Sequence, residues 1–312
     1  MSEKLAKLGL GCWAFGEDWY WGKQSHKDSV KTIQAALRGG IKHFDTARSY
    51  SNGRSEQITG QQLKKNREED IIATKTTWLP AGSVEKQINI SLKRLCTDWI
   101  DILYIHWPKP GVDFRPMMEV LEKMRSAGKI KNIGVSNFSI QDMEVLKDAG
   151  NIDYYQIGYS LIWRFPEREV IPYCIEKGLK IVSYSSLSQG ILTDKFDINK
   201  KFPVGDSRNK LVFFYDDSIK HVETFLKSFR GIAEFEGISM SKLALYWSLT
   251  RPWMDTVLVG SRNRNQIEEN MASLNIHPDT KIIAEITALS DELLNNMPIR
   301  DNIFNHDPSG RN

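Results

Sequence analysis

The sequence has few cysteines, little net charge and no long apolar run. Its three cysteines, Cys12, Cys96 and Cys174, are odd in number and widely spaced, so a disulfide framework or a multi-cysteine zinc site is not expected. With 42 basic and 39 acidic residues the net charge is only +3, which gives no electrostatic basis for binding nucleic acid. No apolar run approaches the ~20 residues of a membrane span, and the first residues lack the apolar region of a signal peptide. We therefore expect a cytoplasmic protein that acts on a small molecule, with neither nucleic acid nor membrane as a partner.

Short strand-like runs alternate along the chain with segments of helical periodicity. Strands that alternate with helices pair in parallel through right-handed crossovers. The runs are residues 8–12, 42–46, 71–75, 100–106, 130–136, 154–157, 179–183 and 256–259. Eight such units are the content of a closed barrel, in which functional sites lie at the carboxyl ends of the strands. The sequence therefore predicts the α/β class, with one (β/α)8 TIM barrel domain over residues 1–312.

The segment after the seventh strand is longer than the corresponding segment of any other unit. Residues 185–238 form a predicted insertion that contains an amphipathic pattern at 219–235, and the helix of the seventh unit is expected at 241–249. Loops longer than ~12–15 residues without secondary structure are usually functional or disordered. We expect the insertion to cover a ligand, and a mobile insertion without ligand contact is the alternative. Residues 298–312 form a C-terminal tail.

The first strand ends in a glycine-rich motif, residues 9–14, that matches the dinucleotide fingerprint G-x-G-x-x-A. That fingerprint functions only where it opens a helix, and no helical pattern follows it here. We interpret residues 13–21 instead as an aromatic loop above the first strand. Such a loop either packs on the barrel or forms the wall of a substrate pocket. The tryptophans expected to line this pocket are Trp13, Trp21, Trp78 and Trp107.

Four residues that can act together stand at or just after three neighbouring predicted strands. Asp45 ends the second strand, Tyr50 lies in the loop that follows, Lys75 ends the third and His106 ends the fourth. An inward lysine in an apolar run needs a counter-ion, which Asp45 supplies. The ammonium would favour the Tyr50 phenolate and lower its pKa from ~10, which suits a general acid. His106 would then hydrogen-bond a substrate oxygen. For any single member, a satisfied polar group of the core is the alternative.

Several motifs in this order resemble the aldo-keto reductase superfamily. They are residues 45–47 (DTA) with Tyr50, 53–56 (GRSE), 73–75 (ATK), 105–108 (IHWP) and 134–138 (GVSNF). The aromatic loop and residues 203–209 resemble the bacterial branch that includes general stress and inositol-related reductases. The resemblance runs from about residue 8 to 274. It implies reduction of an aldehyde or ketone to the alcohol, or the reverse oxidation, with hydride from a nicotinamide cofactor and a proton from Tyr50.

The resemblance also implies a cofactor site at the ends of the later strands. The residues that would hold the nicotinamide carboxamide are Ser136, Asn137 and Gln156, and Tyr184 would stack on the ring. Those that would lie along the pyrophosphate are Ser185, Leu187, Gln189 and Gly190. Those at the adenosine end are Gly260, Ser261, Arg262, Asn263, Gln266, Glu269 and Asn270.

Cofactor choice depends on the segment that opens the last helical unit. Arg262 and Arg264 offer two guanidiniums, and no acid precedes Glu268. A 2′-phosphate suits this set, whereas the 2′-hydroxyl of NAD(H) calls for a carboxylate. We therefore expect NADP(H) in preference to NAD(H), and the resemblance implies that Arg262 is the phosphate ligand. Both arginines as solvated surface charges are the alternative.

Two functions of other classes compete with carbonyl reduction. His43, Asp45 and His106, with a carbamylated Lys75, could form the metal site of a barrel hydrolase, but further ligands are missing at later strand ends. Some reductase-like barrels instead serve as regulatory subunits of potassium channels and use bound cofactor as a sensor. The four strand-end residues favour turnover over this regulatory role.

Overall fold

Eight parallel strands close into a barrel in the computed structural model, which describes residues 7–16, 23–199, 202, 206–300 and 302–304. The predicted (β/α)8 barrel is confirmed, and each predicted strand lies within two residues of its observed bounds. The strands are β1 Leu8–Gly11, β2 His43–Asp45, β3 Ile71–Thr76, β4 Ile100–Ile105, β5 Ile130–Ser136, β6 Tyr154–Gly158, β7 Lys180–Tyr184 and β8 Thr256–Gly260.

Helices follow the strands and cover the outside of the barrel. Their apolar faces are buried, as Val84, Ile88, Leu92 and Leu95 illustrate in the third helix. The helices within the described residues are α1 His26–Arg38, α2 Arg54–Leu63, α3 Ala81–Leu95, α4 Arg115–Ser126, α5 Ile140–Leu146, α6 Val170–Glu176, α7 Ile219–Glu236, α8 Met240–Leu249, α9 Arg264–Met271 and α10 Thr280–Asn296. No helix begins directly after β1 in residues 12–16 or 23–25, so the dinucleotide fingerprint is not formed there. None of the described helices is long and apolar enough to span a membrane.

The barrel interior is filled by aromatic and apolar side chains from β3, β4 and β6. Ala73, Ile102 and Tyr104 form a separate buried cluster against which Tyr154 packs. Gly134 on β5 makes room for the Tyr104 ring, because an added Cβ would lie 2.4 Å from Cδ1 of Tyr104. These side chains fill their part of the barrel interior, and in this fold ligands bind at the carboxyl ends of the strands.

The insertion after β7 is built from 3-10 turns and one long helix, α7. Its middle part binds the C-terminal tail, since Leu211 forms an antiparallel bridge with Phe304 and the Val212 amide donates to the Ile303 carbonyl at 3.1 Å. Arg300 and Asp217 add an ion pair at 2.6 Å. The tail is thus attached to the insertion at the carboxyl end of the barrel. The assignment of residues 1–312 to one domain, with an insertion at 185–238 and a tail at 298–312, stays a prediction.

Candidate active site

The structure brings Asp45, Tyr50, Lys75 and His106 together at one edge of the barrel. Lys75 Nζ is hydrogen-bonded to Asp45 Oδ1, donates to the Thr46 carbonyl at 2.8 Å and lies 3.5 Å from Tyr50 Oη. The rings of Tyr50 and His106 meet edge to face, with centroids 5.7 Å apart. Parallel pairing of β2 with β3 and of β3 with β4 produces this arrangement, because the strand ends share one rim.

The Asp45–Lys75 ion pair is almost completely buried. The side chains are 5% and 1% exposed, respectively. Burial lowers the pKa of Lys75, and the Asp45 carboxylate opposes that shift. Burial, and then the charge of Lys75, lowers the pKa of His106 well below its ordinary value. His106 is therefore a neutral imidazole at physiological pH, able to donate or accept one hydrogen bond at a substrate oxygen.

Backbone strain is concentrated around this rim. Ser51 and Asn52, which follow Tyr50, have φ values of 47° and 54°, in the left-handed region that costs non-glycine residues roughly 1–2 kcal/mol each. The loop after β1 packs tightly on this turn, since a Cβ at Gly16 would lie 2.5 Å from the Ser51 Cβ. Asn137 and Gln189, at the ends of β5 and β7, are also left-handed. Strain of this kind clusters at functional sites, where the surrounding structure enforces it.

A buried acid, Glu56 at the start of α2, fixes the turn that carries Tyr50. Its side chain accepts from Thr74 Oγ1 at 2.8 Å and pairs with Arg94 at 3.3 Å. The Arg94 guanidinium lies so close to Gly53 that a Cβ there would sit 2.1 Å from Nη1. Reasoning from residue chemistry missed these contacts, although Gly53 and Glu56 belong to the family-like GRSE motif.

A second polar layer lies beneath the ion pair. Gln156 on β6 donates from Nε2 to Asp45 Oδ2 at 2.9 Å, so its side chain is directed at Asp45. Its assignment to the cofactor carboxamide stays a prediction. His43 Nε2 and Tyr104 Oη are buried without a hydrogen-bond partner in the described part of the chain. Burial lowers the pKa of His43 to about 4, so it is neutral.

The metal-hydrolase alternative finds no support in this geometry. Within the described residues, no three His, Cys, Asp or Glu side chains are placed to hold a metal ion. Lys75 is paired with Asp45, which gives the lysine a structural partner without a metal ion.

An aromatic wall stands above the rim and includes a residue from the tail. Trp13 stacks on Tyr50, with ring centroids 5.9 Å apart and planes inclined by 25°. Phe304 meets both Trp13 and Trp107 edge to face at 6.3 Å. The predicted pocket residue Trp78 lies instead under the ammonium of Lys109, 5.2 Å from the ring centroid, and has no ring contact with this wall in the described region.

Trp21, the fourth predicted pocket residue, lies outside the described residues. Phe304 was missed as an individual residue, because nothing in its neighbours' pattern directs it to the barrel rim.

The predicted nicotinamide region is a connected set of polar groups between β5 and β7. Tyr184 Oη donates to Asn137 Oδ1 at 2.7 Å, and the Asn137 amide donates to Ser136 Oγ at 3.0 Å and to the His106 carbonyl at 3.3 Å. Gly158 lies against the ring, since an added Cβ would be 3.4 Å from Cζ of Tyr184. These bonds join the region to the candidate catalytic residues.

The turn after β7 contains an unsatisfied acceptor. Gln189 donates from Nε2 to Ser185 Oγ at 2.6 Å, but its Oε1 is buried without a partner among the described residues. An unpaired buried acceptor is costly unless a ligand donor, such as a ribose hydroxyl, completes it. Leu187 and Gly190 belong to the same turn, so this part of the predicted pyrophosphate region fits a dinucleotide.

The predicted adenosine region surrounds the start of α9. Asn263 caps the helix by accepting from the Gln266 amide at 3.0 Å, and Gln266 Oε1 accepts from the Arg262 amide at 2.7 Å. Arg264 faces away and pairs with Glu268 at 2.7 Å on the surface. This end of the site therefore offers Arg262 as its cation.

The remaining residues predicted for the adenosine region lie nearby. Asn270 donates to Ser261 Oγ at 3.0 Å, while Gly260 and Glu269 are exposed. Asp206 of the insertion lies near enough to feel the charge of Arg262. Burial raises the pKa of Asp206 there, but hydrogen bonds and charge from Arg208, with the charge of Arg262, lower it overall.

Comparison with known proteins agrees with the geometry. The model of the aldo/keto reductase family matches residues 7–291. Aldo-keto reductase YhdN of Bacillus subtilis is 36% identical over 278 residues, covering 85% of this chain and 84% of its own. An NADH-specific methylglyoxal reductase of Escherichia coli is 32% identical over 298 residues, with coverages of 88% and 91%. The structure of glycerol dehydrogenase AKR11B4 from Gluconobacter oxydans superimposes with a TM-score of 0.81 at 28% identity, covering 96% and 94%. The chain therefore belongs to the aldo/keto reductase family.

Proposed function

We propose that the protein reduces an aldehyde or ketone to the alcohol with NADPH, and that Tyr50 donates the proton. The observation that carries the proposal is the contact of Tyr50 Oη with the ammonium of Lys75, at 3.5 Å, in a member of this family. When bound, the cofactor supplies a hydride to the carbonyl carbon. The chain must then neutralise the oxygen, which is the task of the phenol.

Each candidate catalytic residue has its own role in protonating the carbonyl oxygen. Tyr50 transfers its proton to the carbonyl oxygen, and Lys75 stabilises the phenolate that remains. Asp45 keeps Lys75 charged in a buried place, and Gln156 holds the second carboxylate oxygen at 2.9 Å. His106, being neutral, orients the carbonyl oxygen without competing for the proton. Trp13 and Phe304, with their neighbours, exclude water from the reacting groups.

Residues at the other strand ends would hold the cofactor. Asn137, Ser136 and Tyr184 offer amide, hydroxyl and ring surface at the nicotinamide end, and Gln189 offers its unpaired acceptor. Arg262 supports NADPH over NADH, because a guanidinium is suited to a 2′-phosphate. One of the relatives compared is named as NADH-specific, so cofactor preference must be measured.

The test is Tyr50→Phe, which removes the hydroxyl and keeps the ring that stacks on Trp13. Turnover of a test aldehyde, followed by cofactor absorbance, should fall by ~10²–10⁴ while the dissociation constant for NADPH stays near the wild-type value. Retention of more than about a tenth of the turnover would show that Tyr50 is not the proton donor.

Wild-type kinetics also separate turnover from the sensing role of a regulatory subunit. Steady-state reduction across a panel of aldehydes, ketones and sugars supports the enzyme. Oxidation of one bound cofactor per chain, with no further turnover on any of them, would support the sensor.

A further inference from the structure

Gln24, in the segment between β1 and α1, makes reciprocal hydrogen bonds with Arg262. Gln24 Nε2 donates to the Arg262 carbonyl at 2.7 Å, and Arg262 Nε donates to Gln24 Oε1 at 3.1 Å. The neighbouring Lys23 carbonyl accepts from Arg262 Nη2 at 2.7 Å. Gln24 itself is only 5% exposed. One buried amide thus holds both the backbone and the side chain of Arg262.

These bonds leave one edge of the guanidinium available. The group has five N–H donors, and the edge formed by Nε and Nη2 is bound to Gln24 and Lys23. Nη1 makes no hydrogen bond to any described residue, whereas Arg264 is engaged by Glu268. Of the two arginines, Arg262 is therefore the one without a carboxylate partner among the described residues, since Arg264 Nε is paired with Glu268.

We propose that Gln24 is a positioning residue that sets cofactor preference by holding the Arg262 guanidinium ready for the 2′-phosphate of NADPH. The proposal rests on the proposed function, in which Arg262 meets that phosphate. A long cationic side chain loses rotamer freedom when it binds an anion, and a side chain already held by the fold loses less. NADH gains nothing from this arrangement, because its 2′-hydroxyl carries no charge to pair with Arg262.

Gln24 and Arg262 are too far apart in the chain for local sequence patterns to indicate that they meet. They meet because β1 pairs with β8 in the closing register of the barrel, Gly11 beside Gly260. Residues 23 and 24, just before α1, therefore lie beside the residues that follow β8. Gln24 reaches Arg262 from a region that the cofactor predictions did not include.

The experiment measures NADPH and NADH dissociation constants and kcat in Gln24→Met, which keeps side-chain length and removes the amide. The NADPH dissociation constant should rise about fivefold, the effect of one hydrogen bond, because of the two lost bonds only the one from Arg262 Nε holds the guanidinium. The NADH constant and kcat at saturating NADPH should stay within about twofold of wild type, which is less than the loss of one such bond. Gln34→Met is the matched control, because Gln34 is exposed on α1 and bonds only Gln62 among the described residues; neither constant should change.

Arg262→Ala separates this inference from the proposed function. If Arg262→Ala keeps the wild-type preference for NADPH, the assignment of Arg262 fails, and the role of Gln24 fails with it. If Arg262→Ala loses the preference but Gln24→Met keeps it, only the inference about Gln24 is wrong. Gln24→Met added to Arg262→Ala should have no further effect, and an additive loss would assign Gln24 a separate role.

A second variant covers the case in which Gln24→Met fails to fold. Gln24→Glu keeps an acceptor for Arg262 Nε but loses the donor to the Arg262 carbonyl and places a carboxylate beside the guanidinium. NADPH affinity should fall by at least the same factor, with NADH affinity retained. Equal losses for both cofactors in the variant that folds would show a structural role and overturn the proposal.

Discussion

Replacement of Lys75 by methionine tests the buried ion pair and its role in proton donation together. Methionine fills a similar volume but removes the ammonium, which contacts Asp45, the Thr46 carbonyl and Tyr50 Oη. Asp45 would remain with one hydrogen-bond donor on its carboxylate, Gln156 Nε2 at 2.9 Å. The variant therefore leaves a carboxylate buried with no cation beside it.

The expected loss of unfolding free energy in Lys75→Met follows from the burial of the ion pair. Loss of one partner of a buried ion pair typically costs about 3–5 kcal/mol. The remaining bond from Gln156 to Asp45 places the expected loss of unfolding free energy at the lower end, about 3 kcal/mol. Lys129→Met is the matched control, since Lys129 and Glu85 form a surface pair with side chains 34% and 64% exposed. Exposed pairs contribute ~0–1 kcal/mol.

A second substitution separates stability from catalysis. In Lys75→Met with Asp45→Asn neither charge is present, so urea denaturation should show most of the lost stability restored. Turnover should stay lost, because Tyr50 still lacks the ammonium that stabilises its phenolate. The reasoning is refuted if Lys75→Met unfolds within about 1 kcal/mol of wild type, or if the double variant recovers turnover.

Two further substitutions test other parts of the interior and the rim. Burial lowers the pKa of His43 to about 4, below the ~6.5 of an unfolded chain, so the unfolded state binds the proton first and stability is lost as pH falls from 6.5 towards 4. Wild type should lose about 2.5 kcal/mol more than His43→Leu between pH 7 and 4.5 in urea titrations; equal losses would contradict the assignment. Phe304→Ala should open the aromatic wall and raise kcat/KM for a bulky aldehyde relative to a small one by roughly tenfold. Phe235→Ala, at a phenylalanine 85% exposed on α7, should leave that ratio unchanged, and an unchanged ratio in Phe304→Ala would remove Phe304 from the pocket.

The barrel was predictable because its pattern repeats. Each strand is a short apolar run followed by a segment of helical period, so eight independent observations supported one topology. The helical patterns predicted at 219–235 and 241–249 correspond to α7 at Ile219–Glu236 and α8 at Met240–Leu249. Parallel closure then placed the strand ends on one rim. Residues as distant along the chain as Asp45 and Gln156 meet there, which is why the candidate catalytic residues could be proposed together.

Loop contacts were not predictable in the same way. Gln24 lies in a segment with no periodic pattern, so nothing in its neighbours indicates a bond to Arg262. Trp78 and Trp107 each stand two residues after the end of a strand, yet of the two only Trp107 joins the aromatic wall. Side-chain direction beyond a strand end depends on the turn that follows it, and the sequence carries no repeat that would specify that turn.

The aromatic wall shows the physical consequence of such loop contacts. Phe304 reaches Trp13 and Trp107 only because the tail is bound along the insertion, through the Leu211 bridge and the Arg300–Asp217 ion pair. The same insertion contains Asp206. Burial raises the pKa of Asp206, hydrogen bonds and charge from Arg208 lower it, and the charge of Arg262 lowers it further. One segment therefore lies near the region proposed for the cofactor and also binds the tail that carries Phe304. A change in the insertion alone should alter carbonyl selectivity through the position of Phe304, even where no inserted residue touches the substrate.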